Sequence, residues 1–135
     1  MDAMFERTAR VLSRQALERL MGAHVAVFGL GGVGGPLCEA LVRSGVGRLT
    51  IVDADTVEPT NLNRQIVALR STIGKTKTEV MRARIADINP ACGVEARTVF
   101  FLPENVDSFD FSAFDYVADA VDTVAAKIEI VSRAK

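Results

Sequence analysis

An apolar run, His24-Val25-Ala26-Val27-Phe28, passes straight into Gly29-Leu30-Gly31-Gly32-Val33-Gly34 and then into an amphipathic segment. Few folds accommodate that order. The apolar run reads as a buried strand, and Val33, Leu37, Ala40 and Leu41 recur at helical spacing. Glycines at such a junction allow a tight turn and let a ligand approach bare N–H groups. The N-terminus of the following helix adds a partial charge of about +0.5, which favours an anion. Strand, glycine turn and helix together predict a phosphate-binding junction.

The rest of the sequence repeats the alternation. A helix is expected over residues 7–21, strands over 23–28 and 48–53, and a helix over 33–44 that Gly45 and Gly47 stop. A polar loop follows from Ala54 to Asn63, then a helix over 77–89 ended by Pro90. A strand over 94–101, a short helical turn over 103–106, a strand over 114–120 and a helix from Thr123 complete the series. Strands separated by helices imply parallel pairing and right-handed crossovers. The expected class is α/β, a Rossmann-like three-layer parallel sheet with helices on both faces, forming one domain over residues 1–135. The sequence ends inside the helix after the fourth strand, where a doubly wound sheet ordinarily continues. We therefore expect an incomplete, truncated domain; a naturally small domain is the alternative.

Composition narrows the classes. The 135 residues are 49% hydrophobic, enough for a core, and no apolar run approaches the ~20 residues of a membrane span. The N-terminal stretch Met1-Asp2-Ala3-Met4-Phe5-Glu6-Arg7 lacks the pattern of a signal peptide. Cys38 and Cys92 are the two cysteines and form no CxxC pair, which points to a reducing, cytoplasmic setting and to structural thiols. Net charge is −1, but residues 1–84 carry 12 Lys/Arg and 8 Asp/Glu while residues 85–135 carry 4 and 9. The positive half contains the glycine turn.

Gly29, Gly31 and Gly34 fit G-x-G-x-x-G, and Asp53 ends the next strand near the usual offset for an acid that binds ribose hydroxyls. Glycines used only for tight packing are the plain alternative. These features alone suit NAD as well as ATP. Arg64, in Thr60-Asn61-Leu62-Asn63-Arg64-Gln65, and Lys77, in Gly74-Lys75-Thr76-Lys77, add cations near the strand ends. A triphosphate needs side-chain cations or Mg²⁺ more than a dinucleotide does. A solvated surface charge is the alternative for each. Asp122 falls where the fourth strand passes into a helix; it suits a Mg²⁺ ligand or a helix N-cap. Asp119 suits a buried, hydrogen-bonded acid, and Asp55 a loop residue.

Val27 to Gly34, Ile51 to Asp55, Asn61 to Gln65, Gly74 to Lys77, Ile88-Asn89-Pro90 and Asp119 to Asp122 together resemble the ThiF/MoeB/HesA superfamily, relatives of ubiquitin-activating enzymes. Phe5-Glu6-Arg7-Thr8, Arg64 to Arg70 and Asp122 to Lys127 are most similar to its tRNA threonylcarbamoyladenosine dehydratase branch. The resemblance implies ATP with Mg²⁺ and attack of a substrate carboxylate on the α-phosphate to give an acyl-adenylate. It implies nucleotide contacts at Gly29, Gly31, Gly32, Gly34, Asp53, Asp55, Thr60, Asn61, Asn63, Arg64, Gln65, Lys77, Asp122 and Thr123. Arg64, Lys77 and Asp122 are the implied catalytic groups, with Asp122 holding the metal. Arg7 resembles an arginine that reaches the γ-phosphate of a partner subunit, which implies a homodimer. The acyl substrate, a tRNA or a small sulfur-carrier protein, would be recognised largely by a C-terminal part beyond residue 135. Activation of a sulfur carrier is the alternative within this class. An NAD-dependent oxidoreductase is the more distant one, and it leaves Arg64 and Lys77 without a task.

Overall fold

Each strand sends alternate side chains to opposite faces, and in this chain both faces are apolar. The computed structural model describes residues 2–135. Strands β1 (His24–Phe28), β2 (Arg48–Val52), β3 (Gly93–Arg97) and β4 (Tyr116–Asp119) form one parallel sheet in the order β3-β2-β1-β4. This is the first part of the Rossmann strand order.

Val25, Val27, Leu49 and Ile51 fill one face. Two helices cover it, α3 (Gly34–Ser44) through Cys38 and Val42 and α4 (Lys77–Ile88) through Met81 and Ile85. Ala26, Phe28 and Val52 fill the other face, against Phe101, Phe109 and helix α5 (Val124–Arg133). Phe28 meets Phe101 at 4.8 Å and Phe109 at 5.7 Å between ring centres. Aromatic pairs of this kind add about 0.5–1.5 kcal/mol each beyond area burial. The expected three layers, with helices on both faces, are present.

The order of strands positions a crevice. α3 and α4 join β1, β2 and β3 across one face. The chain then crosses behind β1, changes face, and returns as β4 on the other side. The turns after β1 and β4 therefore part above the carboxyl ends of these neighbours. In open α/β sheets ligands bind at that switch point.

Several boundaries differ from expectation. The first helix is divided into α1 (Thr8–Val11) and α2 (Arg14–Met21), after a 3₁₀ turn at Ala3–Phe5. Ser13 causes the break: its backbone is extended and its hydroxyl accepts the Ala16 N–H at 3.1 Å, starting a new helix. β3 ends at Arg97 rather than at Phe101. The chain leaves the sheet there, the Arg97 guanidinium donates to the Ser108 carbonyl at 3.1 Å, and it lies 4.1 Å over the Phe109 ring. The short helical turn forms at Val106–Ser108 instead of 103–106, and β4 spans Tyr116–Asp119 instead of 114–120. Phe114 lies outside the ladder and packs edge-on against His24.

Candidate functional site

The crevice holds a cavity of about 330 Å³. Its lower wall is the glycine turn. Gly29 takes a φ of +97°, and a Cβ there would strike the Ala120 carbonyl; a Cβ on Gly34 would strike the Gly29 carbonyl. These two glycines serve close packing of the turn against itself and β4. Gly31 and Gly32 differ. They line the cavity, and the nearest atom to a Cβ on Gly32 would be 4.0 Å away. Their freedom from side chains leaves backbone open to a ligand.

Asp53 ties the turn to the second strand. Its carboxylate accepts the Leu30 N–H at 2.8 Å and the Asp55 N–H at 2.7 Å. A carboxylate has about four lone-pair sites, so two accepted bonds leave room for a ligand's hydroxyls.

The polar loop folds back on itself. Val57 donates to the Lys75 carbonyl, and Gly74, at φ +90°, donates to the Val57 carbonyl. Thr56 bridges to Thr76, which caps α4 by accepting the Glu79 N–H. The cap places Lys77 at the first position of α4, with its side chain only 7% exposed and its ammonium 3.9 Å from Asp55. Arg64 also lines the cavity. One of its Nη atoms donates to the Thr60 carbonyl at 3.1 Å and to Asn63 Oδ1 at 3.0 Å, which holds the guanidinium in place.

Asp122 and Thr123 line the rim after β4. Thr123, not Asp122, occupies the N-cap position of α5. Asp119 is not buried: it accepts from Val121 N–H and from Lys127 at 3.2 Å. With Lys127 so engaged, Asp122 has no ion-pair partner among the described residues. No group of three or more His, Cys, Asp or Glu gathers for a metal among the described residues.

The structure thus gathers Gly29, Gly31, Gly32, Asp53, Asp55, Arg64, Gln65, Lys77, Asp122 and Thr123 around one cavity. Gly34, Thr60, Asn61 and Asn63 do not line it; Thr60 and Asn63 accept from Arg64. Asn61 is buried and accepts the Glu58 N–H, shaping the turn beneath Arg64. Arg7 is exposed on the N-terminal segment and lies outside this cavity, and Arg10 pairs with Glu6. Reading the sequence missed the apolar wall formed by Val99, Phe100, Phe101 and Leu102. The apolar run Val99-Phe100-Phe101-Leu102 ahead of Pro103 is its sequence signal, masked because the strand expected over 94–101 takes in its first three residues.

The motif order and this geometry agree with a comparison at family level: the ThiF family matches residues 5–135. The chain belongs to the ThiF family. Among curated members, it is 48% identical over 127 residues to the tRNA threonylcarbamoyladenosine dehydratase of Bacillus subtilis (strain 168), covering 94% of this chain and 50% of that protein. Identity to the Escherichia coli (strain K12) dehydratase is 44% over 128 residues, covering 95% and 48%. The sulfur carrier protein adenylyltransferase of Thermus thermophilus is 40% identical over 105 residues, covering 78% and 38%. The E. coli dehydratase solved in complex with ATP superposes with a TM-score of 0.92 at 43% identity, over 96% of this chain and 53% of that one. This ThiF-family chain spans about half the length of the curated dehydratases it matches.

Proposed function

We propose that this chain carries the nucleotide site of an ATP-dependent adenylating enzyme, a tRNA threonylcarbamoyladenosine dehydratase. One observation carries the reading most: a nearly buried lysine and a braced arginine flank a glycine turn whose backbone is open. Two cations and a helix N-terminus suit a triphosphate better than a pyrophosphate bridge. The ATP complex of a relative with the same fold supports the same ligand.

In this account Asp53 takes the ribose hydroxyls. Arg64 grips phosphate oxygens with its planar fork, and Lys77 acts as a point charge on others. A substrate carboxylate oxygen attacks the α-phosphorus. The bond from α-phosphorus to the bridging oxygen breaks, and pyrophosphate leaves with charge that the cations stabilise. In the dehydratase the acyl-adenylate is then attacked from within the modified base, closing a ring and releasing AMP. Asp122 suits Mg²⁺, because that ion takes one or two carboxylates plus phosphate oxygens and water rather than an all-protein cage. Bound there, the ion neutralises phosphate charge.

Arg7, outside its own cavity, is assigned to a partner subunit's nucleotide in a homodimer. Two free, buried cysteines support a cytoplasmic setting. The Thermus relative supports the second reading, activation of a sulfur-carrier protein.

The test is ATP–pyrophosphate exchange by the full gene product with threonylcarbamoyladenosine-modified tRNA. Arg64→Ala and Asp122→Ala are expected to abolish exchange while circular dichroism stays unchanged. Exchange at wild-type rates in either variant removes the assignment, and exchange driven only by a carrier protein favours the second reading.

A further inference from the structure

One stretch of the chain is free of acids. Residues 59–78 hold Arg64, Arg70, Lys75 and Lys77 and no Asp or Glu. The fold sorts these four cations into two pairs. Arg64 and Lys77 line the nucleotide cavity; Arg70 and Lys75 do not. Arg70 and Lys75 are exposed on the loop that leads into α4, as is Ser71 between them. Neither cation enters an ion pair among the described residues. The loop under them is well tied. The Thr72 hydroxyl donates to the Val67 carbonyl at 2.7 Å and accepts the Leu69 N–H at 2.9 Å. The Gly74 N–H donates to the Val57 carbonyl at 2.9 Å, the Val57 N–H to the Lys75 carbonyl at 2.8 Å, and the Lys77 N–H to the Asp55 carbonyl at 3.0 Å. Asp55 lines the cavity, so the loop is fastened beside the nucleotide site while its own cations face solvent.

The chain as a whole carries a net charge of −1, so it has no general attraction for polyanions. A local patch with no acid to neutralise it is different. Arg70 offers a planar fork to a phosphate, Lys75 a point charge, and the Ser71 hydroxyl a further donor. A run of one sign fits a partner of one sign: RNA carries a negative charge at every phosphate, whereas the surface of a folded carrier protein mixes both. Leu69 and Ile73 are exposed too, but residues 69–75 include no aromatic anchor of the kind that carries a protein interface. We propose that the loop of residues 69–75 docks the phosphate backbone of tRNA beside the nucleotide cavity, through Arg70 and Lys75. Backbone contacts of this kind position an RNA without reading its bases. This rests on the reading above, which names tRNA as the polyanion, and adds to it a surface outside the nucleotide site.

The probe is threonylcarbamoyladenosine-modified tRNA, bound to the full gene product without ATP and followed by fluorescence anisotropy from about 50 to 200 mM salt. Arg70→Gln/Lys75→Gln is expected to weaken binding about tenfold at about 100 mM salt. The slope of log affinity against log salt should become shallower by about two, one for each lost phosphate contact. KM for ATP should stay within about twofold. Arg70→Lys/Lys75→Arg keeps both charges and should keep the wild-type slope. Arg19→Gln/Arg82→Gln, which removes two exposed cations from α2 and α4, should change neither slope nor affinity. Wild-type slope and affinity in Arg70→Gln/Lys75→Gln overturn the proposal, and so do equal losses in that variant and in Arg19→Gln/Arg82→Gln. Weaker binding of a sulfur-carrier protein with tRNA binding intact also overturns it, in favour of a protein partner. The adenylation reading fails separately: tRNA that binds through the loop but supports no pyrophosphate exchange removes that reading and leaves the docking surface standing.

Discussion

Lys77 Nζ lies 3.9 Å from Asp55 Oδ2, and the two side chains are in opposite surroundings, 7% and 61% exposed. The solvated carboxylate compensates the sheltered ammonium only in part. On the function proposed above, that charge meets the phosphates of the nucleotide. Lys77→Met removes that charge and leaves apolar volume of similar length. Asp55 is 61% exposed and stays solvated without its partner, so losing the sheltered ammonium removes a desolvation cost and the melting temperature should hold or rise. ATP affinity should fall at least tenfold by titration calorimetry; unchanged affinity would show that Lys77 does not meet the phosphates.

Asp53 has a structural task besides any ligand. It holds the N–H groups of Leu30 and Asp55, at 2.8 and 2.7 Å. Asp53→Ala leaves both donors without their acceptor and should cost about 1–3 kcal/mol in urea unfolding. An unfolding midpoint equal to wild type would mean that water replaces the carboxylate at no cost.

The glycines separate packing from binding. Gly34→Ala drives a Cβ into the Gly29 carbonyl, and the variant should be severely destabilised or insoluble. Gly32→Ala meets nothing nearer than 4.0 Å, so its thermal unfolding should match wild type while nucleotide binding weakens. Equal behaviour of the two variants in both assays would contradict this division.

Burial, first, and then the neighbouring Cys92 raise the Cys38 thiol to about 12; burial also raises Cys92. At pH 8 the folded protein should react with a thiol reagent far more slowly than the urea-unfolded chain, because the thiolate is the nucleophile. The linked contribution to stability is present below pH 9, the ordinary thiol value, and is lost as pH rises towards 12. Rapid labelling of both cysteines in the folded protein would refute their placement.

The alternation of strands and helices and most of the cavity were legible in local pattern. His24 to Phe28 and Arg48 to Val52 are apolar runs too short for helices, and each leads into glycine or acid. Gly31, Asp53, Arg64, Lys77 and Asp122 converge because parallel strands bring all their carboxyl ends to one edge. Where pattern failed, a longer-range contact decided. Residues 98–101 have strand-like composition, yet the chain leaves the sheet after Arg97 and Phe101 packs with Phe28 and Phe109. Ser13 could have stayed within one helix, but its hydroxyl caps a second.

A competitive titration of the full gene product with ATP–Mg²⁺ and with NAD distinguishes a triphosphate site from a dinucleotide site. ATP is expected to bind at least tenfold more tightly, and Arg64→Ala to remove the difference. Tighter binding of NAD would contradict a triphosphate site between the glycine turn, Arg64 and Lys77.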